Sequence, residues 1–219
     1  MRADEQLIRR GVAPGLRAGR QLIRGVRAVA TVGAVAGRGT SWDAAQPWWN
    51  SRAVRYLSKR VRPGARAFEW GSGGSTVWLT RRGVAVTAVE HDPEWVTKVA
   101  ARCPGADIRL IPGRTTGRLR SEPELRDNGE HFFDDYIAAV DDIEDDSIDI
   151  VIVDGMCRLE CVRRGAPKVK PGGMLILDDS DYRFLASAGE RLRGWRAVKL
   201  SGFKRPLEFR ETAFFHKPG

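Results

Sequence analysis

The chain has 219 residues, of which 42% are hydrophobic and 30% are charged. That length allows one sizeable α/β domain and excludes two full ones, and the composition can still bury a core. The formal net charge is +9, but residues 1–66 carry +11 and the remainder carries −2. The basic excess therefore belongs to an N-terminal segment, and a basic nucleic-acid groove in the domain that follows is not favoured.

The sequence also predicts the compartment. Three cysteines are too few for a disulfide framework and fit a reducing compartment. No stretch approaches the ~18 apolar residues that a membrane span needs. We therefore expect a cytoplasmic protein. Its basic N-terminal segment leaves association with a membrane possible.

Residues 1–40 form the first predicted segment, a basic arm or helix. Apolar side chains recur at roughly helical spacing between arginines, and Pro14-Gly15 interrupts the pattern. Such a segment could lie on an anionic membrane as an amphipathic helix. Alternatively, it could pack on the domain or on the second subunit of a homodimer. The sequence leaves these alternatives open.

Residues 41–64 are predicted to be an aromatic-rich helical segment that leads into the domain. Trp42, Trp48 and Trp49 lie around Pro47, and an apolar stripe with helical spacing follows them. The tryptophans could line a substrate entrance. They could equally close the hydrophobic core, which is the commoner position of large aromatic side chains.

From residue 65 onward, apolar strands alternate with helices. Strands are predicted at 65–70, 84–89, 108–111, 148–153, 174–177, 195–201 and 208–216. Helices are predicted at 75–82, 93–101, 132–140 and 159–169, and Asp92-Pro93 opens the second of them as an N-cap followed by proline. This pattern indicates an α/β fold over residues 65–219, a Rossmann-like three-layer sandwich. Its seven-stranded sheet would be mostly parallel, with one antiparallel strand in a C-terminal hairpin.

The candidate site residues stand where the predicted strands end. Gly71 follows the first strand, Glu90 ends the second, Asp154 follows the fourth, and Asp178 and Asp179 follow the fifth. Right-handed crossovers bring the carboxyl ends of parallel strands to one edge of the sheet, where ligands of open α/β sheets bind. We therefore expect one site at this edge.

The first strand runs into a Gly-rich turn, Glu69-Trp70-Gly71-Ser72-Gly73-Gly74. Glycines allow a sharp turn and leave no Cβ in the way of a ligand. Dinucleotide sites prefer Gly-x-Gly-x-x-Gly, whereas Thr76 stands at the third glycine position here. The acidic Glu69 suits an ammonium group better than a phosphate. Glu90 could accept hydrogen bonds from ribose hydroxyls, although an NAD site would use an acid similarly.

Four segments in this order resemble the motifs of class I S-adenosylmethionine-dependent methyltransferases: 68–76, 89–92, 149–155 and 170–179. The resemblance spans residues 65–216 and implies that family's seven-stranded fold, with S-adenosylmethionine as the cofactor. It implies cofactor binding by residues of the turn, the second strand and the fourth strand: Glu69, Gly71, Ser72, Gly73, Ser75, Thr76, Glu90, His91 and Asp154.

Three carboxylates could converge on one divalent cation. Asp154, Asp178 and Asp179 offer the hard oxygen ligands that Mg²⁺ prefers. The arrangement resembles metal-dependent O-methyltransferases, in which the ion binds a substrate diol and lowers a hydroxyl pKa. The alternative is that these carboxylates only cap strand ends and turns. Asp154 is also a candidate catalytic residue, together with His131 and Tyr136 in the segment after the third strand.

The methyl acceptor is expected to be a hydroxyl of a small molecule, sugar or glycolipid. The tetrapeptides Asn-Pro-Pro-Tyr and Asp-Pro-Pro-Tyr, which indicate amino-nitrogen methylation, are absent from the sequence, as is a Pro-Cys pair for cytosine methylation. One alternative is an RNA methyltransferase that uses the basic arm for phosphate contacts. Another is a non-catalytic binding module with the same fold.

Overall fold

A seven-stranded sheet forms the centre of the structure, a computed structural model that describes residues 42–122, 129–205 and 208–219. Its strands are β1 Arg66–Trp70, β2 Ala85–Glu90, β3 Asp107–Leu110, β4 Ile148–Val153, β5 Val169–Leu177, β6 Arg196–Arg205 and β7 Glu208–His216. They lie in the order β3-β2-β1-β4-β5-β7-β6.

The strand directions confirm the predicted architecture. Strands β1 to β5 pair in parallel, while β7 pairs antiparallel with both β5 and β6. The single antiparallel strand therefore belongs to the terminal hairpin. The β4 run Ile-Asp-Ile-Val-Ile-Val is almost entirely buried, as expected for a central parallel strand that is covered on both faces.

Six α-helices occur in the described part of the chain: α1 Ser51–Ser58, α2 Gly74–Thr80, α3 Pro93–Ala100, α4 Asp134–Ala138, α5 Arg158–Gly165 and α6 Ala188–Arg191. Asp92 caps α3 as predicted, because its side chain accepts hydrogen bonds from the backbone N–H groups of Glu94 and Trp95. A 3₁₀ turn, Arg183–Leu185, precedes a short α6, and Ser187 and Gly189 are poor formers of a helix interior.

Side chains of the central strands alternate between two cores, one on each face of the sheet. Phe68 and Trp70 face a core that contains Tyr136 of α4. Ala67, between them, faces a second core that contains Leu57 of α1. The two cores and the sheet between them make the predicted three-layer sandwich.

The segment that leads into the domain packs directly on the sheet. Asn50 caps α1 by accepting a hydrogen bond from the Ala53 N–H at 3.0 Å, and it donates to the Leu200 carbonyl of β6 at 2.8 Å. Trp49 is buried in the second core. The predicted basic arm, residues 1–40, lies outside the described residues. Within those residues, none of the helices has the length and apolar character to cross a membrane.

Candidate active site

The carboxyl ends of four neighbouring strands meet at one edge of the sheet, as predicted. The Gly71 N–H donates to the Val89 carbonyl at 2.9 Å, which joins the ends of β1 and β2. The Asp154 N–H donates to the Trp70 carbonyl at 2.9 Å, which joins the ends of β1 and β4. The Gly-rich turn and the Asp154 backbone therefore stand side by side.

Gly71 permits this close approach of β1 and β4. Its backbone has φ = +88°, and a Cβ there would lie 2.8 Å from the carbonyl carbon and oxygen of Asp154. A side chain would therefore both strain the backbone and push the two strand ends apart. Gly73 differs, because a Cβ there would meet only the Trp95 indole nitrogen, at 3.9 Å. The space above Gly73 is accordingly open to a ligand.

The backbone N–H groups of the turn bind acceptors within the protein. The Ser72 N–H donates to Glu90 Oε2 at 2.9 Å, and the Gly73 N–H donates to Thr76 Oγ1 at 2.8 Å. A dinucleotide pyrophosphate needs such N–H groups at the start of the helix after the turn. Because they are already paired here, and because acidic side chains surround them, the turn suits a cationic cofactor better than a phosphate.

Glu90 holds its carboxylate in a fixed position at the end of β2. Three backbone N–H groups, those of Ser72, His91 and Asp92, donate to it at 2.8–3.1 Å. Two side-chain atoms also lie close, Ser72 Oγ at 3.2 Å and His91 Nδ1 at 2.8 Å. Side-chain donors can rotate away, so a ribose diol could replace them without moving the carboxylate. These residues therefore fit the predicted cofactor contact.

Glu69 is fully buried and joins β1 to α2. Thr76 Oγ1 donates to it at 2.6 Å, and Ser75 Oγ donates to its other oxygen. Burial raises the pKa of Glu69 from 4.5 to about 8, although both hydroxyl donors oppose the shift. The carboxyl group is therefore mainly neutral at pH 7. Direct charge pairing of Glu69 with a cofactor ammonium, and cofactor contacts by Ser75 and Thr76, stay predictions.

We expect Glu69→Gln to change how stability depends on pH. Between pH 5 and 8 the folded protein holds a proton on Glu69 that the unfolded chain has released, so the free energy of unfolding falls as pH rises. Glutamine does not ionise, so the variant does not lose this part of its free energy of unfolding. As pH rises from 5 to 8, the stability of the variant relative to wild type should therefore increase by about 2–4 kcal/mol. Urea unfolding at both pH values measures the difference.

The control for this experiment is Glu94→Gln, because the Glu94 side chain is 84% exposed on α3. Its stability curve should run parallel to that of wild type. A parallel curve for Glu69→Gln as well would show that Glu69 ionises normally in the folded protein.

Asp154, Asp178 and Asp179 converge as predicted, with one oxygen from each lying within 4.8 Å of the others. We call these three residues the carboxylate cluster. Asp178 is completely buried, and Asp154 has the most exposed side chain of the three, at 22%. Only Asp154 therefore offers an appreciable surface to a substrate at the edge.

Three cations pair with the carboxylate cluster, and the most distant of them is Arg210, whose Nε lies 3.9 Å from Asp179 Oδ1. Lys204 Nζ lies 2.5 Å from both Asp178 Oδ2 and Asp179 Oδ1. The Arg158 guanidinium lies 3.3 Å from both Asp154 Oδ1 and Asp179 Oδ2. The remaining two oxygens accept from neutral donors, Asp154 Oδ2 from the Trp49 indole at 3.2 Å and Asp178 Oδ1 from the Thr212 hydroxyl at 2.7 Å.

The surroundings shift the three carboxyl pKa values in different directions. Burial raises the pKa of Asp154, although Arg158 and Lys204 lower it in part. Burial also raises the pKa of Asp178 well above its ordinary value, and the neighbouring Asp154 adds to this. Burial would raise the pKa of Asp179 as well, but Lys204 and Arg158 outweigh it and lower that pKa. Asp179 is thus the most firmly ionised member.

This arrangement does not fit a bound Mg²⁺. A magnesium ion needs near-octahedral oxygen ligands at ~2.0–2.1 Å, but every oxygen of the carboxylate cluster already has a donor within 3.3 Å. The Lys204 ammonium sits between two of the three predicted ligands. The predicted convergence is therefore present, while magnesium binding stays a prediction that would require Lys204 to leave.

The other two catalytic candidates lie on or before α4. Tyr136 is fully buried against Gly155 and contacts the rings of His91 and Phe133 edge to face. Burial holds the pKa of the Tyr136 hydroxyl well above its ordinary value. His131 is half-buried beside Gly113. Catalysis by Tyr136 or His131 stays a prediction, and for Tyr136 it would require the core to open.

Sequence reasoning missed Lys204, the residue that contacts two of the three carboxylates. It lies in the connection between the predicted strands 195–201 and 208–216, so no strand periodicity marks its side chain. Trp49 was considered for either a substrate entrance or the core. In the structure its ring is buried in the second core and its N–H donates to Asp154, while a place at a substrate entrance stays a prediction.

The sequence matches a family model described as a methyltransferase domain over residues 68–180, just over half of the chain. The chain therefore belongs to this methyltransferase family. Together with the fold, this identifies it as a class I S-adenosylmethionine-dependent methyltransferase. No curated protein matches the sequence.

Solved methyltransferase structures share the fold. A methyltransferase-like protein from Silicibacter pomeroyi aligns with a TM-score of 0.52 and 23% identity, covering 78% of this chain and 91% of that one. An O-methyltransferase from Bacillus cereus, solved in complex with S-adenosylhomocysteine, aligns with a TM-score of 0.51 and 13% identity over 69% and 73% of the two chains. An S-adenosylmethionine-dependent O-methyltransferase from Thermotoga maritima aligns with a TM-score of 0.51 and 13% identity, covering 77% of this chain and 66% of that one.

Proposed function

We propose that this methyltransferase methylates a hydroxyl oxygen of a small molecule, a sugar or a glycolipid, and that Asp154 accepts the hydroxyl proton. The observation that carries the proposal is the position of Asp154. Its backbone contacts the Gly-rich turn at the edge of the sheet, and its carboxylate is the most exposed member of the carboxylate cluster.

For methyl transfer, the protein has to align the acceptor hydroxyl with the cofactor methyl group and remove one proton from the hydroxyl. S-adenosylmethionine supplies a methyl group that is already activated on a sulfonium. The contact between Gly71 and the Asp154 backbone holds the carboxylate next to the cofactor turn, which supports alignment. Burial raises the pKa of Asp154, and a carboxylate whose pKa lies closer to the working pH is a more effective general base.

Cofactor binding is assigned to the turn and to the end of β2. The open space at Gly73 lies next to Glu90, which accepts from the exchangeable Ser72 hydroxyl and has the His91 ring close beside it. His91 is partly exposed beside Glu90 and contacts the Phe133 ring. We therefore assign the ribose hydroxyls to Glu90, and the pocket wall beside them to Ser72 and His91.

Glu90→Ala should weaken binding of S-adenosylhomocysteine by about 1–3 kcal/mol, because a hydrogen bond to a charged acceptor is lost. Calorimetric titration of the purified variants measures this loss. Glu90→Gln keeps the shape of the side chain and should lose less, while Glu94→Ala on the exposed surface of α3 should bind as wild type does. Equal affinity of wild type and Glu90→Ala would remove Glu90 from the cofactor site.

The acceptor class is tested with radiolabelled S-adenosylmethionine, after cofactor binding has been established by calorimetry. Sugars and glycolipids are compared with their amino analogues and with RNA. We expect label on hydroxyl compounds only. Label on RNA would support the RNA alternative, and cofactor binding without transfer to any acceptor would favour a binding module. A glycolipid acceptor would also give the basic arm, residues 1–40, a role in peripheral membrane contact.

A further inference from the structure

Lys204 reaches the carboxylate cluster from a bulge in the terminal hairpin. Phe203 pairs with Phe209 and Arg205 pairs with Glu208, so the register shifts by one residue and Lys204 is the extra one. A bulge re-aims a side chain relative to its regular strand position and is frequent next to active sites. Here the Lys204 side chain is only 8% exposed, and its ammonium contacts two carboxylates from the end of β5.

The charges of the carboxylate cluster and its partners favour the Lys204 ammonium over a divalent cation at this position. Three carboxylates face the cations Lys204 and Arg158 and, at a longer distance, Arg210, so the cations balance the negative charge. A divalent cation added to this group would make its net charge positive and would stand directly against a buried ammonium. Like charges at such short separation repel strongly in a site that excludes water. The ion and the ammonium therefore compete for the same oxygens.

The carboxylate cluster in turn stabilises the buried ammonium of Lys204. Removal of an ammonium from water costs several kcal/mol unless carboxylates compensate for it. Asp178 and Asp179 provide that compensation at 2.5 Å each, and Thr212 fixes the remaining oxygen of Asp178. Displacement of Lys204 by a metal ion would leave the ammonium without these partners.

We propose that the Lys204 ammonium takes the place of a divalent cation in the carboxylate cluster, and that methyl transfer at Asp154 proceeds without a metal ion. The second part rests on the proposed function, and the first does not. A metal ion would bind the acceptor through two neighbouring oxygens, whereas the buried Lys204 does not require the acceptor to have two. The acceptor therefore needs a single hydroxyl and no adjacent second one.

The experiment is a titration with Mn²⁺, followed by electron paramagnetic resonance of the free ion, which does not depend on activity. Wild-type protein should bind no Mn²⁺ up to about 1 mM. Lys204→Met should bind it at least about tenfold more tightly, because it frees two carboxylates. The matched control is Lys199→Met on the same strand, whose exposed side chain contacts Glu211. This variant should behave as wild type.

Two results would overturn the proposal. One is micromolar Mn²⁺ binding by wild type that Asp179→Asn abolishes, and this titration decides the matter even if Lys204→Met does not fold. The other is a folded Lys204→Met that binds Mn²⁺ no better than Lys199→Met. Methyl transfer measured with a chelator then tests the second part separately, because inactivity with and without Mg²⁺ would count against the proposed function and not against the role of Lys204.

Discussion

Asp154→Asn is expected to lower the rate of methyl transfer to the hydroxyl acceptor by about 10²–10⁴-fold, the usual contribution of a positioned general base. Asparagine has the same shape and can still accept the hydrogen bond from Trp49, but it does not take up a proton. Because the pKa of wild-type Asp154 is raised by burial, wild-type activity should fall on the acidic side as this carboxylate becomes protonated. That acidic limb should be missing from the residual activity of the variant.

The matched control is Asp149→Asn, which removes a carboxylate from the same strand at its opposite end. Asp149 accepts a hydrogen bond from the Arg66 N–H and pairs with Lys170, far from the cofactor turn. Its rate should stay near that of wild type. If Asp154→Asn retains most of the activity while still binding S-adenosylhomocysteine, Asp154 is not the base, and His131 becomes the next candidate to test.

Gly71→Ala is expected to lower the free energy of unfolding by about 2–5 kcal/mol, from strain at positive φ together with overpacking. The new methyl group would meet the Asp154 carbonyl at 2.8 Å and the Gly155 Cα at 2.9 Å, and both are backbone atoms that cannot rotate away. Separation of β1 from β4 would also move the base away from the cofactor turn. Urea unfolding and titration with S-adenosylhomocysteine measure the two effects.

Gly194→Ala provides the comparison, since Gly194 has φ = +87° and a Cβ there would meet nothing within 4 Å. It carries the same backbone strain without the collision and should lose only about 1–2 kcal/mol. Equal losses in the two variants would mean that the contact between the strand ends is not tight.

Regular patterns in the sequence predicted the parts of the molecule that depend on local forces. The β4 run, in which every residue except Asp149 is apolar, predicted a parallel strand over residues 148–153, and the structure has it at those bounds. Asp92-Pro93 predicted the start of α3 through capping chemistry. The positions of Glu90 and Asp154 at strand ends followed from the topology of a parallel sheet, which fixes one edge for all carboxyl ends.

The partners of the site residues could not be predicted in the same way. The contact of Lys204 with Asp178 depends on a one-residue bulge, which no period in the sequence reveals. The carboxyl group of Glu69 accepts hydrogen bonds from Ser75 and Thr76, and only the packing of α2 on β1 decides this. Sequence reasoning therefore located the site and missed the charge balance within it.

The strand order also has a consequence for the way the protein is made. β5 emerges from the ribosome before β6 and β7, and its free edge pairs with β7, the later strand of the hairpin. Until the hairpin has emerged, Asp178 and Asp179 lack the ammonium that compensates them, so the growing chain carries mutually repelling carboxylates at that edge. Domains tend to fold as units during synthesis. Here the last stretch of the sheet to be translated also brings the cation that balances the carboxylate cluster.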